Sequence, residues 1–547
     1  MTQRVMGVKL SHDGGVCCIE DGELKFHFEA EKLEDGKRYT LMDGRMAFEQ
    51  ILKQEGMELD NFSSISVDGF NNGMVKNTLT HWDVAPYHEY DLAYYTPIGK
   101  RFTFPRYSSF THVYNHIMGS YMISPFAKQN DSCYCLVWDG ALAPRLYSKS
   151  AFEMDWRLVG TAHEIYGTIY GIMSYYWGPF KRKAVAELPE APPNEKGGYD
   201  KPGKLMGWIG LGAIDKNLFP IFDSAYEWAR KTSPYKNDLK LNRDGIQEHR
   251  LCRYLYQAFT KGGYEDDATI MRSFHTWLTD MTVNGLIDLG LRAGDRLIIT
   301  GGCGLNIKLN SELRSAGMNV WVPPTPNDSG SALGAACSEW HHITGESYID
   351  WTVYSGPKLL NKPINGNWVH ISKDHADVAR VIADGHVVVF LDGRAEIGPR
   401  SLGARSLLAD PRRSAMKDEL NRVKGREDWR PVAPIALEGE TEKYWGYSKS
   451  DPYMLFDHHA TEDAQSYVPA VVHIDGTSRL QTALEDTPCL PVIEAFKEMT
   501  GIGVLCNTSA NRSGHGFFSS AVEAMEWSEG KDINYVWADG DFFVRGN

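Results

Sequence analysis

The sequence predicts an α/β protein built from more than one packed domain. Short apolar runs repeatedly end in glycine-containing polar loops and then continue at helical spacing, the pattern of strands and helices alternating along a chain. A chain of 547 residues with 42% hydrophobic content exceeds one core of ordinary size, and its length is not explained by disorder. Periodicity fails over residues 347–368, where Gly, Pro and Asn collect, and a domain junction is expected there.

In chain order, Arg4 to Lys9 reads as a strand, SHDGG (11–15) as a tight polar loop, and VCCIEDG and ELKFHFEAEKL as two further strands joined by a DG turn. On a helix, HVYNH (112–116) would place His112 and His116 on one face, one turn apart. CYCLVWDG is an apolar run ending at Asp139. Residues 181–203 are proline-rich and charged, as expected of a surface insertion or lid. A long helical pattern ends at Gly294 and is followed by the strand DRLIIT, the loop GGCGLN (301–306) and the helix NIKLNSELRSAG. The strand NVWVPP, the loop TPNDSG and the helix SALGAACSEWHHI repeat that arrangement. Loops of this kind gather nucleotide or metal ligands at one rim of an α/β sheet. After the junction come a helix (HADVARVIADG), a buried strand (HVVVFLDG) and the run EIGPRSLGARSLLADPRR. SYVPAVVHIDGTSRLQ and GIGVLCNTSANRSGHG are expected to be strands that run into polar loops.

Composition narrows the function. The net charge of −14 is scattered, without a basic stripe or an acidic tail, so a nucleic-acid partner is not expected. Nine cysteines are scattered through the chain, without CxxC pairs, and read as reduced thiols of a cytoplasmic protein. The N-terminus lacks a signal-type apolar region, and no apolar run approaches the roughly 20 residues that span a bilayer. No membrane association is expected.

Candidate sites fall in two groups. His112, His116, Asp139 and Asp328 carry imidazoles and carboxylates, a donor set without thiolate that suits iron, manganese or zinc rather than calcium. Taken singly, an HxxxH pair is more often packing, and a strand-end aspartate more often caps a turn. The loops GGCGLN and SHDGG could bring backbone N–H groups to phosphates, and Lys204 in GKLMG could reach one. The second group is basic: Arg400, Arg405, Lys424, Arg426, Arg430 and Arg479, with hydroxyls and amides at Asn507, Thr508, Ser509 and Asn511. Arginine forks suit phosphate or carboxylate, so in an acidic chain such a cluster argues for a small anionic ligand over a polymer. The alternative is structural pairing with Glu396, Asp410 and Asp428.

In this order HVYNH, VWDG, GKLMG, GGCGLN, NDSGSALGAA, GRAEIGPRSLGARSLLADPR, KGREDWRPVAPI, HIDGTSRLQT and NTSAN resemble the O-carbamoyltransferase family of nodulation and antibiotic-biosynthesis enzymes. The resemblance implies an actin-like ATPase fold over 1–355, similar to the threonylcarbamoyladenosine transferase, and a YrdC-like α/β domain over 365–547. It implies that carbamoyl phosphate and ATP form carbamoyl-adenylate in the second domain and that the first passes the carbamoyl group to a hydroxyl of a small-molecule acceptor. By motif, Arg400, Lys424, Arg430, Arg479, Ser509 and Asn511 would hold carbamoyl phosphate and the ATP phosphates. Lys204, Gly302 and Asn306 would lie at the adenylate, and His112, His116, Asp139 and Asp328 would hold the divalent metal. Iron is placed first, with manganese and zinc left open by ligand type, and magnesium accompanies ATP. His12 is the candidate base for the hydroxyl proton, with a turn-capping histidine as the alternative. An actin-like-fold sugar kinase and a non-catalytic nucleotide-binding protein are the competing readings. Departures from the family pattern, ALAPR after VWDG and the alanine and RSGHG of the NTSAN loop, bear on the acceptor and on the metal shell. Acceptor identity and oligomeric state, a homodimer included, stay open.

Overall fold

The structure, a computed structural model, describes residues 2–42, 44–69, 101–103, 107–182, 200–233, 248–364 and 366–546. Most of the 181–203 insertion, from 183 to 199, lies outside the described residues. The chain forms two compact units, one of Met1–Ile65 with Ile349–Asn547 and one of Ser66–Tyr348. The class is mixed α/β, as expected.

The first unit begins with the anticipated meander of β1 (Arg4–Lys9), β2 (Gly15–Glu20) and β3 (Glu23–Glu29), antiparallel throughout. Its strands are largely buried, and on β3 Leu24, Phe26 and Phe28 alternate with the polar Glu23, Lys25, His27 and Glu29. The outer strand, β3, does not end the ladder. Leu24 and His27 donate their N–H groups to Asp350 and Ser355 carbonyls, at 2.8 and 2.7 Å, so the first residues past 348 line up along the N-terminal meander. That non-local pairing is why the opening 65 residues group with the C-terminal part of the chain.

The chain leaves this unit within β4 (Ser64–Asp68). In the second unit the end of β4 runs parallel to β6 (Ser108–Phe110), and β5 (Arg101–Thr103) pairs antiparallel with β6. A five-stranded sheet follows, made of β7 (Cys133–Val137), β8 (Arg145–Lys149), β9 (Arg157–Thr161), β10 (Arg296–Thr300) and β11 (Asn319–Trp321), in the order β11-β10-β7-β8-β9. β10 is parallel to both β7 and β11, so the ends of three strands open on one edge: Asp139 after β7, Gly301 after β10 and the NDSG turn after β11.

Two helices pack behind that edge. His112–Tyr121 is buried along its whole length, and Ser331–Thr344 crosses it. Glycines permit the crossing, because a Cβ on Gly119 would stand 2.8 Å from the Gly334 Cα and one on Gly334 would stand 2.1 Å from the Asn115 carbonyl oxygen. Only glycine lets two helix backbones approach so closely. Ser338 Oγ also donates to Asn115 Oδ1 at 2.8 Å, which fixes the rotation of the HVYNH helix.

The chain then returns to the first unit. Its mixed sheet comprises β12 (Trp368–Ser372), β13 (Val388–Leu391), β14 (Arg405–Ala409), β15 (Ala433–Leu437), β18 (Gln481–Ala483), β19 (Val504–Ser509), β20 (Tyr535–Ala538) and β21 (Asp541–Arg545), in the order β12-β21-β20-β13-β14-β19-β15-β18. A separate ribbon pairs β16 (His458–His459) with β17 (Thr477–Ser478). β13, VVFL, is buried on both faces, and its uninterrupted apolar run suits a central strand covered by helices such as His375–Ala383 and Leu490–Thr500. One element departs from expectation. SYVPAVVHIDGTSRLQ forms a short helix, Glu462–Tyr467, and a 3-10 turn, Pro469–Val471, and is extended only at β17 and β18. Pro469 has no N–H for a ladder and opens the turn, while Val468, Ala470 and Val471 are buried from that turn instead.

Candidate functional site

The second unit gathers four of the expected ligands. One ligand atom from each of His112, His116, Asp139 and Asp328 can be chosen so that all lie within 4.8 Å of one another. The two imidazole Nε2 atoms are 3.1 Å apart, and they stand 3.4 and 3.3 Å from Asp328 Oδ1. His112 is oriented from behind, its Nδ1 lying 2.9 Å from Asp68 Oδ2 at the end of β4. Asn115 clamps that carboxylate by donating to Asp68 Oδ1 at 2.8 Å. When the Nδ1–H of His112 donates its hydrogen bond to Asp68, the Nε2 lone pair is turned toward His116 and Asp328. Lone pairs and carboxylate charge then converge on one buried point, which is the environment of a cation. The donor set of imidazole and carboxylate, with no thiolate, fits a transition metal. Asp68 was not singled out from the sequence, although SISVDG repeats the signal of CLVWDG, an apolar strand ending in an aspartate.

Asp139 also receives the Gly302 N–H, at 2.7 Å on Oδ1. Gly301, with φ of 86°, turns the chain there, and its missing Cβ avoids the Trp138 carbonyl oxygen, which would be 2.4 Å away. The GGCGLN loop is thus bound to the carboxylate cluster. Asn306 caps the helix Ile307–Ser315 by accepting from Leu309 N–H at 3.2 Å, and its side chain also bonds the buried Tyr170 hydroxyl. Lys204 lies on the helix Lys201–Trp208, where it pairs with Asp200 at 2.5 Å and stands 5.6 Å from the Phe180 ring.

The first unit holds the basic cluster and separates its members by role. Arg405, which the sequence offered beside Arg400, is structural: its guanidinium donates to the carbonyls of Asp392, Pro357, Gly393 and Ala404 in the core. The alternative, pairing of these arginines with Glu396 and Asp410, takes another form. Glu396 Oε1 accepts the N–H groups of Leu402, Ala404 and Arg405 at 2.6, 2.7 and 3.1 Å, and Asp410 binds Arg412. The loop carrying Arg400 is gripped from its other end as well. Lys32 donates to the carbonyls of Glu396 and Gly398, and Glu29, itself paired with Lys32, accepts the Gly398 N–H. Arg400 therefore projects from a loop held by residues of β3 and the turn after it.

Arg400 lies well below the usual guanidinium range, first because it is desolvated and then because Arg479, Arg38 and Arg430 add like charge. Burial likewise lowers Arg479 to about 10, with Arg430 and Arg426 contributing, and Arg426 to about 9, with Arg430 contributing. The Nε atoms of Arg400 and Arg479 are buried and have no hydrogen-bond partner among the described residues. Buried guanidinium donors left unmade, packed among like charges, are costly unless an anion answers them.

Lys424 is also held far down, by burial and then by Arg426, Arg38 and Arg430. Its ammonium donates to Ser509 O, Asn511 O and Asn511 Oδ1 at 2.7, 2.7 and 2.6 Å. Ser509 Oγ adds a 2.6 Å bond to Asn511 Oδ1, and the Asn511 amide donates to Arg512 O and His515 O. Lys424 is thereby the post on which the NTSAN loop is folded. His12 lies in the first unit, its Nδ1 2.9 Å from Asp13 Oδ2.

Residues 87–337 match the family described as Carbamoyltransferase N-terminus, and residues 379–545 match Carbamoyltransferase C-terminus. The chain belongs to the carbamoyltransferase family and is a transferase. It is 36% identical to Nodulation protein U of Sinorhizobium fredii over 572 residues, covering 99% of each chain. It is 32% identical to the 3'-hydroxymethylcephem-O-carbamoyltransferase of Streptomyces clavuligerus over 551 residues, covering 97% of each. Among solved structures, full-length HypF in its phosphate- and nucleotide-bound form overlaps 63% of this chain and 56% of its own, at a TM-score of 0.34 and 14% identity. No helix among the described residues is long and apolar enough to cross a membrane.

Proposed function

We propose that this chain is an ATP-dependent O-carbamoyltransferase that makes carbamoyl-adenylate at the arginine cluster and passes the carbamoyl group to an acceptor hydroxyl at the imidazole–carboxylate cluster. The observation that carries the first step is the buried Nε of Arg400 and of Arg479, each without a hydrogen-bond partner among the described residues. Carbamoyl phosphate and ATP are both polyanions, and fixed positive charge offsets their repulsion and the charge of the departing pyrophosphate. The step balances when water releases phosphate from carbamoyl phosphate, a carbamate oxygen attacks the α-phosphorus of ATP, and pyrophosphate leaves. Arg400, Arg430 and Arg479 bind the oxyanions. Lys424 contributes charge and holds Ser509 and Asn511 in place for the same ligands.

For the second step, His112, His116, Asp139 and Asp328 would hold a divalent ion, which would supply Lewis acidity for departure of the AMP leaving group. Iron is the expected ion, manganese and zinc the alternatives, and magnesium accompanies ATP. Asp68 keeps His112 in the ligating tautomer, the Gly302 N–H steadies Asp139, and Lys204, Gly302 and Asn306 line the adenylate. His12 accepts the hydroxyl proton as AMP leaves. The acceptor is a small molecule bearing a hydroxyl, a reading supported by a relative named for O-carbamoylation of a hydroxymethylcephem. The actin-like and YrdC-like domains over 1–355 and 365–547, and a cytoplasmic location, belong to the same reading.

Purified protein given ATP should release pyrophosphate only when carbamoyl phosphate is present. ATP turnover to ADP that ignores carbamoyl phosphate would replace this reading with phosphoryl transfer. A second expectation concerns the metal: Asp68→Asn should weaken metal retention by about 10- to 100-fold, read as metal content after dialysis against a chelator series. Retention equal to wild type would remove Asp68 from the site.

A further inference from the structure

The segment after β3, residues 30–40, is not consumed by the meander. It runs along the loop that follows NTSAN: Gly516 N–H donates to Gly36 O at 3.0 Å, Arg38 N–H donates to Gly514 O at 3.0 Å, and Lys37 bridges His515. Contact is close enough that a Cβ on Gly516 would stand 1.9 Å from Glu31 O. Arg38 Nε reaches His515 O at 3.4 Å, the same carbonyl that receives the Asn511 amide at 2.8 Å. Asn511 is in turn held by Lys424. Arg38 is thus tied to the Lys424–Asn511 scaffold through a shared acceptor.

The next residue carries an independent mark. Tyr39 adopts φ of 60°, a left-handed backbone that a bulky residue rarely takes. Its N–H bonds the Glu31 carboxylate, and Thr40 N–H returns to Lys37 O at 3.3 Å, closing the turn at Arg38. Strained backbone of this kind persists where the surroundings hold a side chain in a required place.

We propose that Arg38 is a direct ligand of the phosphoryl oxygens bound by the arginine cluster, so that the anion site is assembled from both ends of the chain. The proposal deepens the proposed function and rests on it for the identity of the anion. The charge of Arg38 is felt by both Arg400 and Lys424, placing it electrostatically among the groups assigned to the ligand. Glu31 attracts it, while burial raises that carboxyl above its ordinary range.

The test titrates the full chain with inorganic pyrophosphate, which stands for the nucleotide's leaving group, and with inorganic phosphate, which stands for the carbamoyl donor's. Wild type, Arg38→Ala and Arg38→Lys are compared by calorimetry, with thermal melting as a control. Loss of one charge-assisted contact should weaken binding of at least one anion by roughly 10- to 100-fold in Arg38→Ala, with partial recovery in Arg38→Lys and unchanged melting. Which anion is affected identifies the substrate that Arg38 holds. Binding equal to wild type in Arg38→Ala, a wild type that binds neither anion, or equal losses in both variants with lowered melting would each overturn the proposal. Anion binding that depends on Arg38 in a protein that releases no pyrophosphate would sink the proposed function and leave this inference standing.

Discussion

Arg400→Ala is expected to lower carbamoyl phosphate-dependent pyrophosphate release by about 10²- to 10³-fold, the effect of removing one preorganised donor from a charge-developing site. The reason lies in how the side chain is presented. Glu396 ties down Leu402, Ala404 and Arg405, while Lys32 and Glu29 tie down the residues just before Arg400, so the loop backbone has no need of the Arg400 side chain. The guanidinium itself has an unanswered buried nitrogen, and losing it relieves like-charge crowding with Arg479 and Arg430. Stability should therefore hold or rise while activity falls, a combination that a structural arginine cannot produce. Arg405→Ala is the contrast: it strips hydrogen bonds from four carbonyls and should lower the melting temperature. If Arg400→Ala also unfolds the protein, its assignment to the ligand fails.

His116→Ala should do the opposite chemically. Pyrophosphate release should survive within about threefold, whereas carbamoyl transfer should fall to background, because a metal site that loses one of four ligands loses both affinity and its open geometry. Metal content should fall in parallel. Equal loss of pyrophosphate release in the Arg400 and His116 variants, with both folded, would contradict the division of labour between the two clusters.

Much of this could be read from the sequence where signals are local. The HVYNH helix, the meander and the strands that end at Asp139 and in GGCGLN follow from periodicity and turn residues, and the structure forms each of them. Spacing alone could not distinguish Arg400 from Arg405, five positions apart, because the difference is what surrounds each guanidinium. Asp68 lies 44 residues before its histidine, and only the parallel pairing of β4 with β6 brings it there. The attachment of residues 1–65 to the C-terminal part is equally non-local, resting on bonds from β3 to residues 350 and 355. Its consequence is practical: a fragment starting at 365 lacks Lys32 and Glu29 and should not hold the Arg400 loop in place.

The most direct test of the central claim is to quench the wild-type enzyme after mixing with ATP and carbon-labelled carbamoyl phosphate, with no acceptor, and to identify the labelled product by mass. Label on AMP as carbamoyl-adenylate, accompanied by phosphate and pyrophosphate, is the predicted result. ATP consumed to ADP, with no label on any nucleotide, would contradict it.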